Sequence, residues 1–241
     1  MKKQNLTAFQ AKIGYTFADP SRLVRALTHK TANRRENYES FEYLGDAFLL
    51  SAIREWLVMN VPNAQKRLKI CGAAVSNEML GLISRRLGIP EILNMSKEEA
   101  CGDLYHQSKK YADVYEALIT AIYQDGGYEQ ARNFVWRTMP LKKLAAGDWE
   151  RIPRNPRWKN ATEDLADLMV QIGAEPPVYS YVENVGKFQV WQVDTAVGLA
   201  WGRGQLGLED NLGADHAKGN AASKLLRKLL IDQLADIFDE D

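Results

Sequence analysis

Two cysteines in 241 residues, Cys71 and Cys101, make neither a disulfide framework nor a zinc site. No apolar run approaches the roughly 18 residues of a membrane-spanning helix, so no membrane partner is expected. The N-terminal stretch MKKQNLTAFQAKIGYTF carries two lysines but lacks the apolar core of a secretory signal. Histidine is scarce, and His29, His106 and His216 are scattered, which favours packing or surface roles over metal ligation. Net charge is missing too, with 31 basic residues against 31 acidic ones. These absences exclude secreted, disulfide-stapled and membrane-spanning classes. What remains is a soluble intracellular chain, expected in the cytoplasm or an organelle. Its 46% apolar and 26% charged residues are those of a folded chain rather than a disordered one. The length suits one large domain or two small ones.

The zero total hides two unlike halves. Residues 160–241 hold 6 basic and 14 acidic residues, a net of −8, which leaves +8 for residues 1–159. Between them, LAAGDWERIPRNPRWKN combines helix-stopping Gly147, Pro153 and Pro156 with Arg151, Arg154, Arg157 and Lys159. This reads as a linker with a basic patch.

Apolar residues recur at three-to-four spacing through SRLVRALTHKT, ESFEYLGDAFLLSAIREWLVMN, AVSNEMLGLISRRLG, YADVYEALITAIYQD and YEQARNFVWRTM, predicting helix after helix. The second half changes period. TEDLADLMVQIG predicts a short helix behind a Thr162 cap, and VYSYVEN, FQVWQVDTAV and LAWGRGQ predict three strands. AKGNAASKLLRKLLIDQL returns to helix, with Ala217, Ala221, Leu225 and Leu229 on one stripe.

Two segments carry candidate chemistry. In NYESFEYLGDAFLL, Glu39, Glu42 and Asp46 share one helical face, while Phe41, Leu44 and Phe48 mark an apolar stripe. In KKYADVYEALITAIY, Asp113 and Glu116 stand three apart among residues suited to burial. Like charges on one face, partly desolvated, need compensation. Oxygen ligands from several carboxylates suit Mg²⁺ and metal-assisted phosphodiester hydrolysis. The competing reading is a solvated face of ion pairs with Lys109, Lys110, Arg54 or Arg34, and spacing alone does not choose between them.

The same segments resemble the ribonuclease III family. NYESFEYLGDAFL is similar to that family's signature, KYADVYEALITAIYQDGG to its second acidic motif, and IGYTFADPSRLVRALTHKT to its lead-in. The second half, ending in DHAKGNAASKLL, is similar to a double-stranded-RNA-binding domain in element order and final helix. The resemblance implies an all-α endonuclease domain followed by a small α+β domain of order α-β-β-β-α. The implied boundaries are a catalytic domain at 5–143, a basic linker at 144–159, a divergent acidic RNA-binding-like domain at 160–235 and an acidic tail at 236–241. The implied activity is Mg²⁺-dependent cleavage of double-stranded RNA to 5′-phosphate and 3′-hydroxyl ends, with Mn²⁺ able to substitute. Cutting both strands implies a homodimer.

Residue by residue, Glu42, Asp46, Asp113 and Glu116 fall on the family's metal-binding carboxylates, with Asp46 and Glu116 the catalytic pair. Glu39 matches an acidic position near the scissile strand. Lys110, just before the second motif, offsets charge or contacts phosphate, or is a solvated surface lysine. Tyr43 sits where the family inserts an aromatic residue into its partner, and a core tyrosine is the competing reading. Gly45 lets helices approach closely.

The chain departs from the family in two places. Where the family usually reads Glu-Gly-x-Leu-x-x-x-Arg-Ala, this chain has QKRLKICGA, so an uncharged Gln65 replaces a glutamate as an outer-shell candidate. In the second half, Ala214 and Asp215 take the places of adjacent phosphate-directed lysines, leaving Lys218 nearby. Phosphate neutralisation supplies most non-specific affinity, so this half is expected to bind duplex RNA weakly or to contact a protein partner. Two rival functions follow: a non-catalytic RNA- or ribosome-associated protein on the same fold, and a duplex-RNA-sequestering factor. GRGQLG fits a dinucleotide fingerprint by pattern alone and reads better as strand glycines. Trp191 and Trp201 read as core rather than as residues that stack on bases.

Overall fold

Helices fill the first half, as the three-to-four spacing predicts. The computed structural model describes residues 3–96, 104–152, 161–205, 212–233 and 235–238. In chain order the first helices are α1 (Lys3–Ile13), α2 (Pro20–Ala26), α3 (Glu39–Asn60), α4 (Ala64–Ala74), α5 (Asn77–Leu87) and a single turn, α6 (Ile89–Ile92). They are followed by α7 (Leu104–Gly126), α8 (Tyr128–Thr138) and α9 (Leu141–Ala146). Their starts follow local chemistry. Asp19, Asn63 and Ser76 each accept a backbone N–H at the head of α2, α4 and α5, satisfying donors that a helix start leaves orphaned.

The core of this unit lies around α7, whose Val114, Tyr115, Ala117, Leu118, Ile119, Ala121 and Ile122 are fully buried. On one side it packs on α3, and Trp136 of α8 donates its Nε1 to the Ala52 carbonyl of α3 at 2.8 Å. Asp125, near the end of α7, accepts from the Tyr15 hydroxyl at 2.8 Å and from the Ala18 and Asp19 amides at 2.9 Å each. Those three bonds fasten the α1–α2 loop, and with it the chain leading into α3.

Residues Met1–Asn155 and Ala235–Asp241 form one unit, and Pro156–Leu234 form the other. The stretch read as the start of a linker belongs to the first unit, with Leu144 and Ile152 buried. The apolar anchors outweigh the Gly147 and Pro153 stop signals that suggested a free connector. Residues 153–160, which hold most of the predicted basic patch, lie outside the described residues. The tail differs as well. Ala235–Phe238 form a 3₁₀ turn, Ile237 is buried, and the Arg86 guanidinium sits 5.1 Å above the Phe238 ring. Residues 239–241 lie outside the described residues.

The second unit has the α-β-β-β-α order that its sequence predicts: α10 (Ala161–Gln171), β1 (Val178–Val185), β2 (Phe188–Thr195), β3 (Gly198–Gln205) and α11 (Leu212–Gln233). The strands form an antiparallel sheet in the order β1-β2-β3. Because α10 begins at Ala161, Thr162 lies inside the first turn rather than ahead of it. Leu165, Met169, Val193, Ala200, Ala221 and Leu225 make the core. Gly202 and Gly204 are strand glycines, as read: a Cβ on either would lie within 2 Å of a carbonyl oxygen of α11. Trp201 departs from its core reading and is 48% exposed. It alternates with Ala200 and Gly202, which face the helix, so its ring falls on the other face of the sheet.

Among the described residues, no helix is long and apolar enough to cross a membrane.

Candidate active site

The two long helices of the first unit cross where their carboxylates lie. Steps of three and four put Glu42 and Asp46 on one side of α3, and a step of three puts Asp113 and Glu116 on one side of α7. The approach depends on Gly45, whose missing side chain leaves room for the Glu116 backbone: a Cβ there would sit 1.9 Å from the Glu116 carbonyl oxygen. A buried hydrogen bond of 2.7 Å, from the Thr120 hydroxyl to the Phe41 carbonyl, ties the same crossing one turn further along α7. Phe48 adds a ring contact with Tyr123 at 4.1 Å between centroids.

At this crossing, oxygens of Glu42, Asp113 and Glu116 come within 4.8 Å of one another. Asp46 stands outside that trio and is exposed, yet its charge acts on Glu116 more than any other. Lys109 enters the cluster from one turn earlier on α7, with its Nζ 2.9 and 3.0 Å from the Asp113 oxygens and 3.9 Å from Glu42. Glu39, at the start of α3, is exposed and paired with Lys30 at 2.8 Å.

The electrostatics follow from crowding and partial burial. Burial first, then the charges of Asp46, Asp113 and Glu42, push the Glu116 carboxyl up to about 8. Glu42 is raised by burial and by Asp113, with Lys109 opposing. Asp113 is raised by burial, against the Lys109 hydrogen bond and the charges of Lys109 and His29. Three hard oxygen donors held against their own repulsion suit a divalent cation, whose charge reverses each of these shifts.

The signs give a testable pH dependence. A carboxyl raised in the folded state contributes stability that is complete below its unfolded value and lost as pH rises through its folded value. Without metal, the Glu116 contribution is therefore present in acid and gone above about pH 8. Metal binding must release that proton, so metal affinity is expected to rise between pH 6 and 8, approaching about tenfold per unit. Calorimetric Mn²⁺ titration in buffers of different ionisation heats counts the released protons; an affinity flat across this window contradicts the expectation.

Other residues read from sequence sit elsewhere. Gln65 is exposed on the first turn of α4 and lines a groove with Lys66, Lys69 and Trp149, a groove that none of the four carboxylates lines. Lys110 is half-buried, and it is the neighbouring Lys109 whose ammonium reaches the acids. Tyr43 is 86% exposed, which removes the core reading. In the second unit, Lys218 lies 4.5 Å over the Trp191 ring and 3.9 Å from Asp215. His29 is buried, bonded through Nδ1 to Thr31, and near enough to act on Asp113. The spacing of acids gave no signal for it, because it comes from a separate segment.

A helical unit whose two long helices cross at a carboxylate trio able to hold a divalent ion, joined to an α-β-β-β-α unit, has the build of a metal-dependent nuclease with an RNA-binding-type module. A family profile described as Ribonuclease-III-like matches residues 19–142. Ribonuclease 3 of Bdellovibrio bacteriovorus is 32% identical over 200 residues, covering 77% of this chain and 80% of its own. Ribonuclease 3 of Pseudomonas fluorescens is 31% identical over 187 residues, covering 76% and 78%. The crystal structure of the nuclease domain of ribonuclease III from Campylobacter jejuni overlays with a TM-score of 0.50 at 27% identity, covering 59% of this chain and 96% of that domain. The chain belongs to the ribonuclease III family.

Proposed function

We propose that this protein is an endoribonuclease that cleaves double-stranded RNA with Mg²⁺, or Mn²⁺ in its place. The observation that carries the reading is the Glu42, Asp113 and Glu116 trio, held within 4.8 Å at a helix crossing made close by Gly45. In this reading Glu42, Asp46, Asp113 and Glu116 bind the metal, and Asp46 and Glu116 bear most directly on the reaction. A divalent ion there supplies Lewis acidity at the scissile phosphate and activation of the nucleophile. The protein's own part is positioning. The Thr120–Phe41 bond and the Gly45 contact fix the two carboxylate pairs relative to each other, and Glu39 stands at the rim. Gln65 and Lys110 act from outside the metal's own ligands.

The reading includes a homodimer, because a single centre cuts one strand. Tyr43, bare to solvent on α3, is the proposed dimer contact. Products would carry 5′-phosphate and 3′-hydroxyl ends, and the setting would be cytoplasmic. The second unit is proposed to add little RNA affinity. Asp215 is exposed where a phosphate contact would fall, Lys218 is taken up by Trp191, and a net of −8 over residues 160–241 repels the ligand. A protein partner for this acidic half is the alternative use of its surface.

Incubation of the full chain with long duplex RNA, single-stranded RNA and duplex DNA, with and without Mg²⁺, tests this directly. Duplex RNA alone is expected to be cut, to products bearing 5′-phosphates, and chelation is expected to stop it. Inert protein over a range of Mg²⁺ and salt would instead favour a non-catalytic or sequestering role on the same fold.

A further inference from the structure

The carboxylate cluster already contains a cation of its own. The Lys109 ammonium contacts both Asp113 oxygens, at 2.9 and 3.0 Å, and lies 3.9 Å from Glu42. It therefore faces two of the three carboxylates that make the trio. The i, i+4 spacing from Asp113 lets the four-carbon stem lie along α7 and deliver its charge to the acid. The same side chain is 56% exposed, so an outward route to solvent is open. Lysine is a compact, strongly hydrated point charge on a flexible stem. It can exchange these carboxylates for water without moving the backbone.

A divalent ion seated on Asp113 and Glu42 would stand within a few ångströms of the ammonium that now contacts them, and the two cations repel each other at that range. We propose that Lys109 is a tethered competitor for the metal position, neutralising the acids at rest and swinging to solvent when a divalent ion binds. The inference rests on the metal reading given above and adds a residue to it. Its function is to keep the helix crossing intact when divalent metal is scarce, at the expense of metal affinity. Half-maximal cleavage would then need more free Mg²⁺ than at an uncontested site, with the steepness of the response unchanged.

The test is Mn²⁺ binding to the RNA-free full chain at fixed pH and salt, comparing wild type, Lys109→Met and Lys109→Arg. Lys109→Met keeps the length and loses the charge, and is expected to bind on the order of tenfold tighter. Its melting temperature should be lower without metal and should rise further than that of wild type when Mn²⁺ is added. Lys109→Arg keeps the charge and should remain within about threefold of wild type. Should Lys109→Met fail to fold, the wild type itself decides the matter. Saturating Mg²⁺ should move the Lys109 side-chain resonance, identified by its loss in Lys109→Arg, to the position of a solvated lysine. Equal affinities of folded wild type and Lys109→Met, or a resonance that does not move, overturn the inference and leave the metal reading standing. No Mn²⁺ binding by any of the three proteins overturns the metal reading, and this inference with it.

Discussion

Glu116→Gln is expected to lower the rate of duplex-RNA cleavage by roughly three orders of magnitude, the scale of several kcal/mol of lost charge stabilisation at a metal site. The fold should not pay for it. In the metal-free protein Glu116 is pushed up to about 8, so at neutral pH it is mostly a neutral carboxyl that a carboxamide replaces closely in shape. The melting temperature of the metal-free variant should therefore match wild type at pH 6. At pH 9 it should exceed wild type, which by then has lost the contribution that Glu116 makes when protonated. Mn²⁺ titration of the variant should show weakened or absent binding. Near-normal cleavage would remove Glu116 from the site, and a large drop in melting temperature at pH 6 would make the effect structural rather than chemical.

Gly45→Ala is expected to act through the opposite route, on the scaffold first. The added Cβ would fall 1.9 Å from the Glu116 carbonyl oxygen and 2.5 Å from its carbonyl carbon. Both are backbone atoms within a helix, so no side-chain rotation relieves the overlap. The two helices must separate by an ångström or more, a strain of about 2–4 kcal/mol on the scale of overpacked cores. For a unit of this size the melting temperature should fall by roughly 5–10 °C. The separation also draws Glu42 away from Asp113 and Glu116, so metal affinity and cleavage should fall with it. Gly72→Ala is the control: nothing lies within 4 Å of a Cβ there, on α4. That change should be neutral or stabilising by up to about 1 kcal/mol, from helix propensity alone.

Much of this site was legible from sequence because it is written in helical spacing. Glu42 and Asp46 lie four apart and Asp113 and Glu116 three apart, and a glycine beside Asp46 marks the point of closest approach. Spacing says nothing, however, about which basic residue answers the acids. Lys109 and Lys110 are adjacent and chemically alike, and only the direction each takes from α7 brings the first into the cluster. His29 reaches Asp113 through the loop before α3, a neighbourhood fixed by tertiary packing. Gln65 was placed by analogy with a motif, and its position at the head of α4 depends on how α4 leaves α3. In the second unit the three strands followed from their aromatic and β-branched content. The exposure of Trp201 did not, because aromatic content alone cannot say which face of a half-covered sheet a ring takes. The anchoring of Leu144 and Ile152 was obscured by neighbouring glycine and prolines, which are strong local signals that tertiary burial overrode.

The return of Ile237 and Phe238 to the helical unit changes the topology of the chain. Phe238 meets Arg86 across about 150 intervening positions, a separation at which ring closure costs only slowly more with length. The α-β-β-β-α module is thereby spliced into its neighbour, entering and leaving through the same body, instead of hanging from it by one end. With both of its ends belonging to one body, the module unfolds as a closed loop, and that chain gains less entropy than a free end of the same length would.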